Sequence, residues 1–146
     1  MRRVKIRPGP DAGFKIKREV FIVTTKMSFT AAGDMLVQRR LPGGYPGFAE
    51  IAAEIQKGDF RFFNLETTLH DYETYGSQYN GGSYLCAPPE VLDDARRFGF
   101  NITSFANNHT LDFSYGGVEK TLYHLRKANF PHAGVGMNLE QAAAPA

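Results

Sequence analysis

The chain contains no Trp and only one Cys among its 146 residues. A single thiol cannot close an internal disulfide, which excludes a disulfide-stapled secreted scaffold. Nothing beside Cys86 would lower its pKa, so it reads as an inert thiol in a loop next to Pro88 and Pro89. No apolar run approaches the roughly 20 residues that a membrane-spanning helix needs. The basic start Met1-Arg2-Arg3 resembles the head of an export signal, but Val20 to Val23 is too short and too late to complete one, so the chain as written is expected in the cytoplasm. Internal repeats, low-complexity tracts and the full Gly-rich phosphate fingerprints are also missing, and Gly134-Val135-Gly136 is too short to stand for one.

What remains is an ordinary globular composition. Hydrophobic residues make up 42% and charged residues 22%, enough apolar material for the core of one domain. The net charge of +2 conceals an asymmetry: residues 1–18 hold seven Lys or Arg and one Asp, so the remainder is acidic overall. A basic arm can bind nucleic acid. Here Pro8, Gly9, Pro10 and Gly13 interrupt it without aromatic stacking groups, which favours a solvated extension and leaves no strong case for nucleic acid.

Beyond the arm, strand-like and helix-like segments alternate. Val20 to Thr25 and Met27 to Ala32 read as strands, the second ending at Gly33-Asp34. Phe48, Ile51, Ala52 and Ile55 follow the i, i+3, i+4, i+7 spacing of an amphipathic helix, closed by Lys57-Gly58. Phe60 to Leu65 reads as a buried strand, and His70 to Ser83 as a polar loop. Pro89 suits a helix start, with Val91, Leu92, Ala95 and Phe98 as its apolar face and Gly99 as its stop. Ile102 to Ala106 is expected as a strand, Val118 to Leu125 as a helix, Phe130 to Val135 as a short strand, and Leu139 to Ala144 as the start of a helix. This order predicts an α/β fold with a largely parallel sheet covered by helices.

In such sheets ligands bind beyond the carboxyl ends of the strands. Three expected strands end in polar groups there: Asp34 on the first; Asn64 and Glu66 on the second; Asn107, Asn108 and His109 on the third, with Asp112 a turn later. Carboxylate, amide oxygen and imidazole together suit Mn, Fe, Mg or Zn. Each element alone has a plainer reading. Gly-Asp is commonly a turn, Asn-Leu-Glu a strand end with a helix cap, and Asn-Asn-His a turn tied by Asn side chains. Three polar residues straight after a buried strand nonetheless need partners, because an unpaired buried polar group costs about 1–3 kcal/mol. His70 could face the site from its loop, whereas His124 and His132 read as half-buried or core histidines.

Several stretches resemble the CapA family of bacterial capsule synthesis, or poly-γ-glutamate biosynthesis, proteins, which is similar in fold to calcineurin-like metallophosphoesterases. They are Phe29-Thr-Ala-Ala-Gly-Asp-Met-Leu36, Phe63-Asn-Leu-Glu-Thr-Thr-Leu69, Phe98 to Asp112, Gly116 to Leu122 and Gly134 to Glu140. The resemblance implies a layered α/β(β)α domain, of which residues 27–146 form the N-terminal part after a basic extension at 1–26. It implies two divalent cations, with Asp34, Asn64, Glu66, Asn108 and His109 at metal positions. His109 would act as general acid or charge stabiliser, and Asp112 would orient it or brace the loop. The family's later His-Trp-Gly and Gly-x-His-Pro-His ligand segments are absent from this chain, so a truncated site, weakly active or inactive alone, is expected. The implied substrate is a phosphate ester or a capsule polymer. The family's capsule members are typically membrane-anchored. Two alternatives stay open: a non-catalytic binding module completed by a second chain that supplies the missing half, and a nucleic-acid-binding protein using the basic arm.

Overall fold

A computed structural model describes residues 25–78 and 82–146. The basic extension and the expected strand from Val20 therefore lie outside the described residues, apart from Thr25 and Lys26. The described chain runs β1 (Phe29–Met35), α1 (Phe48–Ile55), β2 (Phe60–Leu65), β3 (Thr68–Leu69), β4 (Cys86–Ala87), α2 (Val91–Phe98), β5 (Ile102–Ser104), α3 (Ser114–Lys127), β6 (His132–Ala133) and α4 (Leu139–Ala143). Strands β1, β2, β5 and β6 form one sheet in that order, and every pairing is parallel. Strands β3 and β4 form a second, two-stranded parallel sheet. The fold is the mixed α/β class that the alternation of segments predicts.

Each helix forms where an apolar stripe meets suitable ends. Helix α2 buries Val91, Leu92 and Ala95, carries Asp93 and Asp94 in its first turn and Arg96 and Arg97 in its last, and closes on Gly99 at φ 99°. That charge order complements the helix dipole, and the left-handed closing residue favours glycine. Helix α3 buries Val118, Thr121, Leu122 and Leu125, again at helical spacing. Thr121 Oγ1 accepts from Leu69 N at 2.8 Å and donates to Gly117 O at 2.7 Å, tying α3 to β3. Asp94, only 2% exposed, accepts from Arg40 Nε at 2.9 Å, Leu41 N at 3.0 Å and Arg97 Nη1 at 3.0 Å, so one buried carboxylate pins the long β1–α1 loop onto α2.

Parallel neighbours joined by right-handed crossovers in a simple sequence place their helices on one side of the sheet. The burial of the strands agrees. Phe63, Leu65 and Thr103 are covered by the core, while the alternate residues Phe29 and Phe60 are 64% and 40% exposed. Phe29 and Phe62 stack on that open face with ring centroids 6.1 Å apart. Among the described residues, no helix is long and apolar enough to cross a membrane.

Two expectations change. Cys86 lies in β4 rather than in a loop, and burial pushes its thiol pKa up, as an inert cysteine requires. His70 does not face the candidate site. It is 1% exposed, edge-on to the Phe113 ring at 4.5 Å. Tyr72 N donates to its Nδ1 at 3.1 Å, so the proton sits on Nε2, which meets Thr68 Oγ1 at 3.2 Å. Burial pushes the His70 pKa down and keeps the ring neutral.

Candidate metal centre and the cleft beside it

The polar residues of the three strand ends do meet. The register of β1 on β2 slips between Ala31, opposite Phe62, and Asp34, opposite Asn64, so β1 carries an extra residue there. Such a bulge re-aims a side chain. Without it Gly33 would stand opposite Asn64; with it Asp34 does. Asn64 Nδ2 then donates to Asp34 Oδ1 at 2.8 Å, and Asn64 Oδ1 accepts from Asn107 Nδ2 at 3.2 Å.

Asn107 is the link between strands, a role that its place directly after a buried strand only hints at. Its Nδ2 also donates to Leu65 O at 2.8 Å, and its Oδ1 accepts from His109 N at 3.0 Å. The turn held by an Asn side chain and the functional cluster are thus the same structure. Asn107 shapes the loop that presents His109 to the carboxylates.

Glu66 follows β2 and is 9% exposed. Its Oε2 is buried with no hydrogen-bond partner among the described residues. Burial is the main force raising the Glu66 pKa; the neighbouring Asp34 carboxylate pushes the same way, and His109 opposes both. Two close carboxylates, one exposed and one buried with an unused oxygen, favour a bound cation that neutralises them.

His109 Nδ1 stands 2.8 Å from Asp112 Oδ2. A carboxylate accepts, so Nδ1 carries the proton and Nε2 is the ring nitrogen turned to the site. Asp112 Oδ2 also accepts from Leu85 N at 2.7 Å. It therefore orients the histidine and braces the loop before β4 at once. Asn108 is exposed and lines, with His109 and Asp112, an open cleft of about 740 Å³ that continues over Gln78, Leu111 and Tyr115. Ser114 borders the same cleft at φ 54°, a backbone conformation uncommon for a non-glycine residue.

Of the residues expected at the site, Asp34, Asn64, Glu66, His109 and Asp112 form one connected group, and Asn108 stands at its edge on the cleft wall. Among the described residues no three His, Cys, Asp or Glu side chains converge closely enough to hold an ion by themselves. The donor set fits a cation only with amide oxygens or further ligands added.

A mostly parallel sheet flanked by helices, with its polar groups gathered at the carboxyl ends of the strands, is consistent with part of a metallophosphoesterase-like fold. The comparison with family models is specific: residues 28–146 match the family described as "Bacterial capsule synthesis protein PGA_cap", and the chain belongs to that family. Two proteins of Sinorhizobium fredii, the uncharacterized proteins y4sH and y4uA, are each 37% identical over 127 residues, which is 84% of this chain and 27% of theirs. The capsule biosynthesis protein CapA of Bacillus anthracis is 24% identical over 123 residues, 79% of this chain and 30% of that protein. The chain thus spans less than a third of the length of these curated relatives.

Proposed function

We propose that this chain contributes one side of a metal-dependent phosphoesterase-like site to a protein of capsule assembly. The observation that carries the reading is Glu66: a buried carboxylate with an unpartnered oxygen, next to the Asp34 carboxylate that Asn64 holds in place. Asp34 and Glu66 would hold a divalent cation, with Asn64, Asn108 and His109 as candidates for the remaining positions and room for a second cation as the family resemblance implies. When bound, the cation supplies Lewis acidity toward an ester and activates water. The chain's own residues supply the proton. Attack of water would break the bond to the leaving oxygen, and His109 in its imidazolium form would give the Nε2 proton to that oxygen, returning to the neutral ring whose Nδ1 proton Asp112 holds. The substrate class is a phosphate ester. Within the capsule setting the polymer itself, including poly-γ-glutamate, is a candidate.

Cation binding is the direct test. Mn²⁺ or Zn²⁺ should raise the melting temperature of the chain, and Asp34→Asn should remove most of that rise. No rise with any of Mn²⁺, Zn²⁺, Mg²⁺ or Fe²⁺, or a rise indifferent to Asp34→Asn, would remove the metal site from the proposal. Hydrolysis of bis-p-nitrophenyl phosphate by the chain alone should be negligible, because too few ligands converge here.

One face of the sheet is left open among the described residues, which favours a second component. Phe29, Phe60 and Phe62 form an apolar surface that water covers poorly, and such a face commonly marks a contact with further polypeptide. We propose that further polypeptide, in the same protein or in a partner chain, packs there and completes the ligand set. The double variant Phe29→Lys, Phe62→Lys should reduce binding of a hydrophobic dye several-fold with far-UV circular dichroism unchanged. Unaltered dye binding would mean that this face is not the exposed apolar surface.

A further inference from the structure

The cleft beside His109 has a chemistry of its own. Its described walls offer amides and hydroxyls from Gln78, Asn108 and Ser114, and apolar surface from Leu111 and the Tyr115 ring, which are 49% and 72% exposed. No Lys or Arg lines it among the described residues, and the carboxylate of Asp112 lies at its floor, with a side chain 5% exposed. An acidic polymer such as a γ-linked glutamate chain is poorly matched to such a surface, because each carboxylate would be desolvated without a cation to meet it. A neutral polyol is well matched. Amide and hydroxyl groups both donate and accept, as sugar hydroxyls require, and an exposed Tyr offers a rigid amphipathic platform to the apolar face of a sugar ring. The volume of about 740 Å³ lies within the range of small-molecule pockets, so a sugar residue fits with space for a neighbour.

We infer that this cleft is a carbohydrate subsite, with a sugar seated on Tyr115 and hydrogen-bonded to Asn108, Gln78 and Ser114. Its position against His109 makes the sugar the leaving-group side of the ester. That placement rests on the proton-donor reading of His109, whereas the binding itself does not.

Saturation-transfer NMR on the full chain tests the binding. Maltose, diacetylchitobiose and tri-γ-glutamate serve as probes, and EDTA is present so that the outcome is independent of any cation. At least one disaccharide should receive saturation on its ring protons, and more strongly than tri-γ-glutamate. Tyr115→Ala should weaken that binding about three- to tenfold, the scale of one lost aromatic contact. Tyr115→Phe should retain it, and so should Tyr123→Ala, which removes a tyrosine exposed further along α3. No transfer to either disaccharide, tri-γ-glutamate binding as well as the sugars, or sugar binding that survives Tyr115→Ala would each overturn the assignment.

Discussion

Replacing Glu66 by Gln should make the cation-free chain more stable at neutral pH, not less. Burial raises the Glu66 pKa above its ordinary value of 4.5, and the Asp34 carboxylate adds to the shift. The sign follows from linkage. A carboxyl whose folded pKa is raised contributes its stability fully below the unfolded pKa and loses it as pH rises through the raised folded value. On the alkaline side of that raised value the native chain carries an ionised, buried carboxylate with one unpartnered oxygen beside a like charge. Gln removes that charge, and its amide can donate to Asp34. The gain should be about 1–3 kcal/mol, or about 3–9 °C in melting temperature for a chain of this size. Without cations, wild-type stability should climb as pH falls from neutral toward the ordinary carboxylate range, and the Glu66→Gln variant should lack that limb. With Mn²⁺ or Zn²⁺ the order should invert, because the carboxylate oxygen that destabilises the free chain is then a ligand. A Glu66→Gln variant that melts lower in EDTA would show that the carboxylate already has its partners within the fold, and the cation argument would lose its main support.

The carboxylate cluster could be anticipated from one sequence because its residues lie at or just beyond the carboxyl ends of strands, and strands announce themselves by apolar runs. Phe60 to Leu65 and Ile102 to Ala106 are such runs, so the polar residues after them had to lie at one sheet edge if the sheet was parallel. The bulge that turns Asp34 toward Asn64 was not legible. Which residue of Ala31 to Asp34 is extra depends on the partner strand, and Gly33 marks only that the chain can bend there. Strands β3 and β4 were missed for a different reason. Two residues carry no period, and Thr68-Leu69 pairs with Cys86-Ala87 while α3 lies against β3, where Thr121 Oγ1 accepts from Leu69 N. That second sheet also accounts for His70, which opens the expected loop: its N donates to Ala87 O at 3.1 Å and its ring is held against Phe113. Asn107 was visible as a polar residue, but its role was not. A side chain that joins two strands and a loop has no signature in its own neighbourhood.

Asp112→Asn should separate the two tasks of that carboxylate and so test whether His109 is held for chemistry. Asp112 Oδ2 accepts from both Leu85 N and His109 Nδ1, at 2.7 and 2.8 Å. An Asn oxygen placed at that point can still accept from Leu85, but it no longer brings a charge to the imidazole. If the amide nitrogen takes the position instead, it meets donors on both sides. Either way a charge-assisted bond inside the fold is lost, and the cost should be about 1.5–3 kcal/mol. Nitrogen-15 spectra of the imidazole should report the more telling change: a proton confined to Nδ1 in the wild type, and a mixture of the two tautomers in Asp112→Asn. In the assembled protein, hydrolysis should fall by about 10²–10⁴, the range attached to a positioned general acid. The fall should come in kcat with KM little changed, because the substrate contacts proposed for the cleft are untouched. A tautomer that stays on Nδ1 in the variant, with hydrolysis unchanged, would mean that an uncharged acceptor holds the ring as well and that the charge of the carboxylate is not what orients His109 for chemistry.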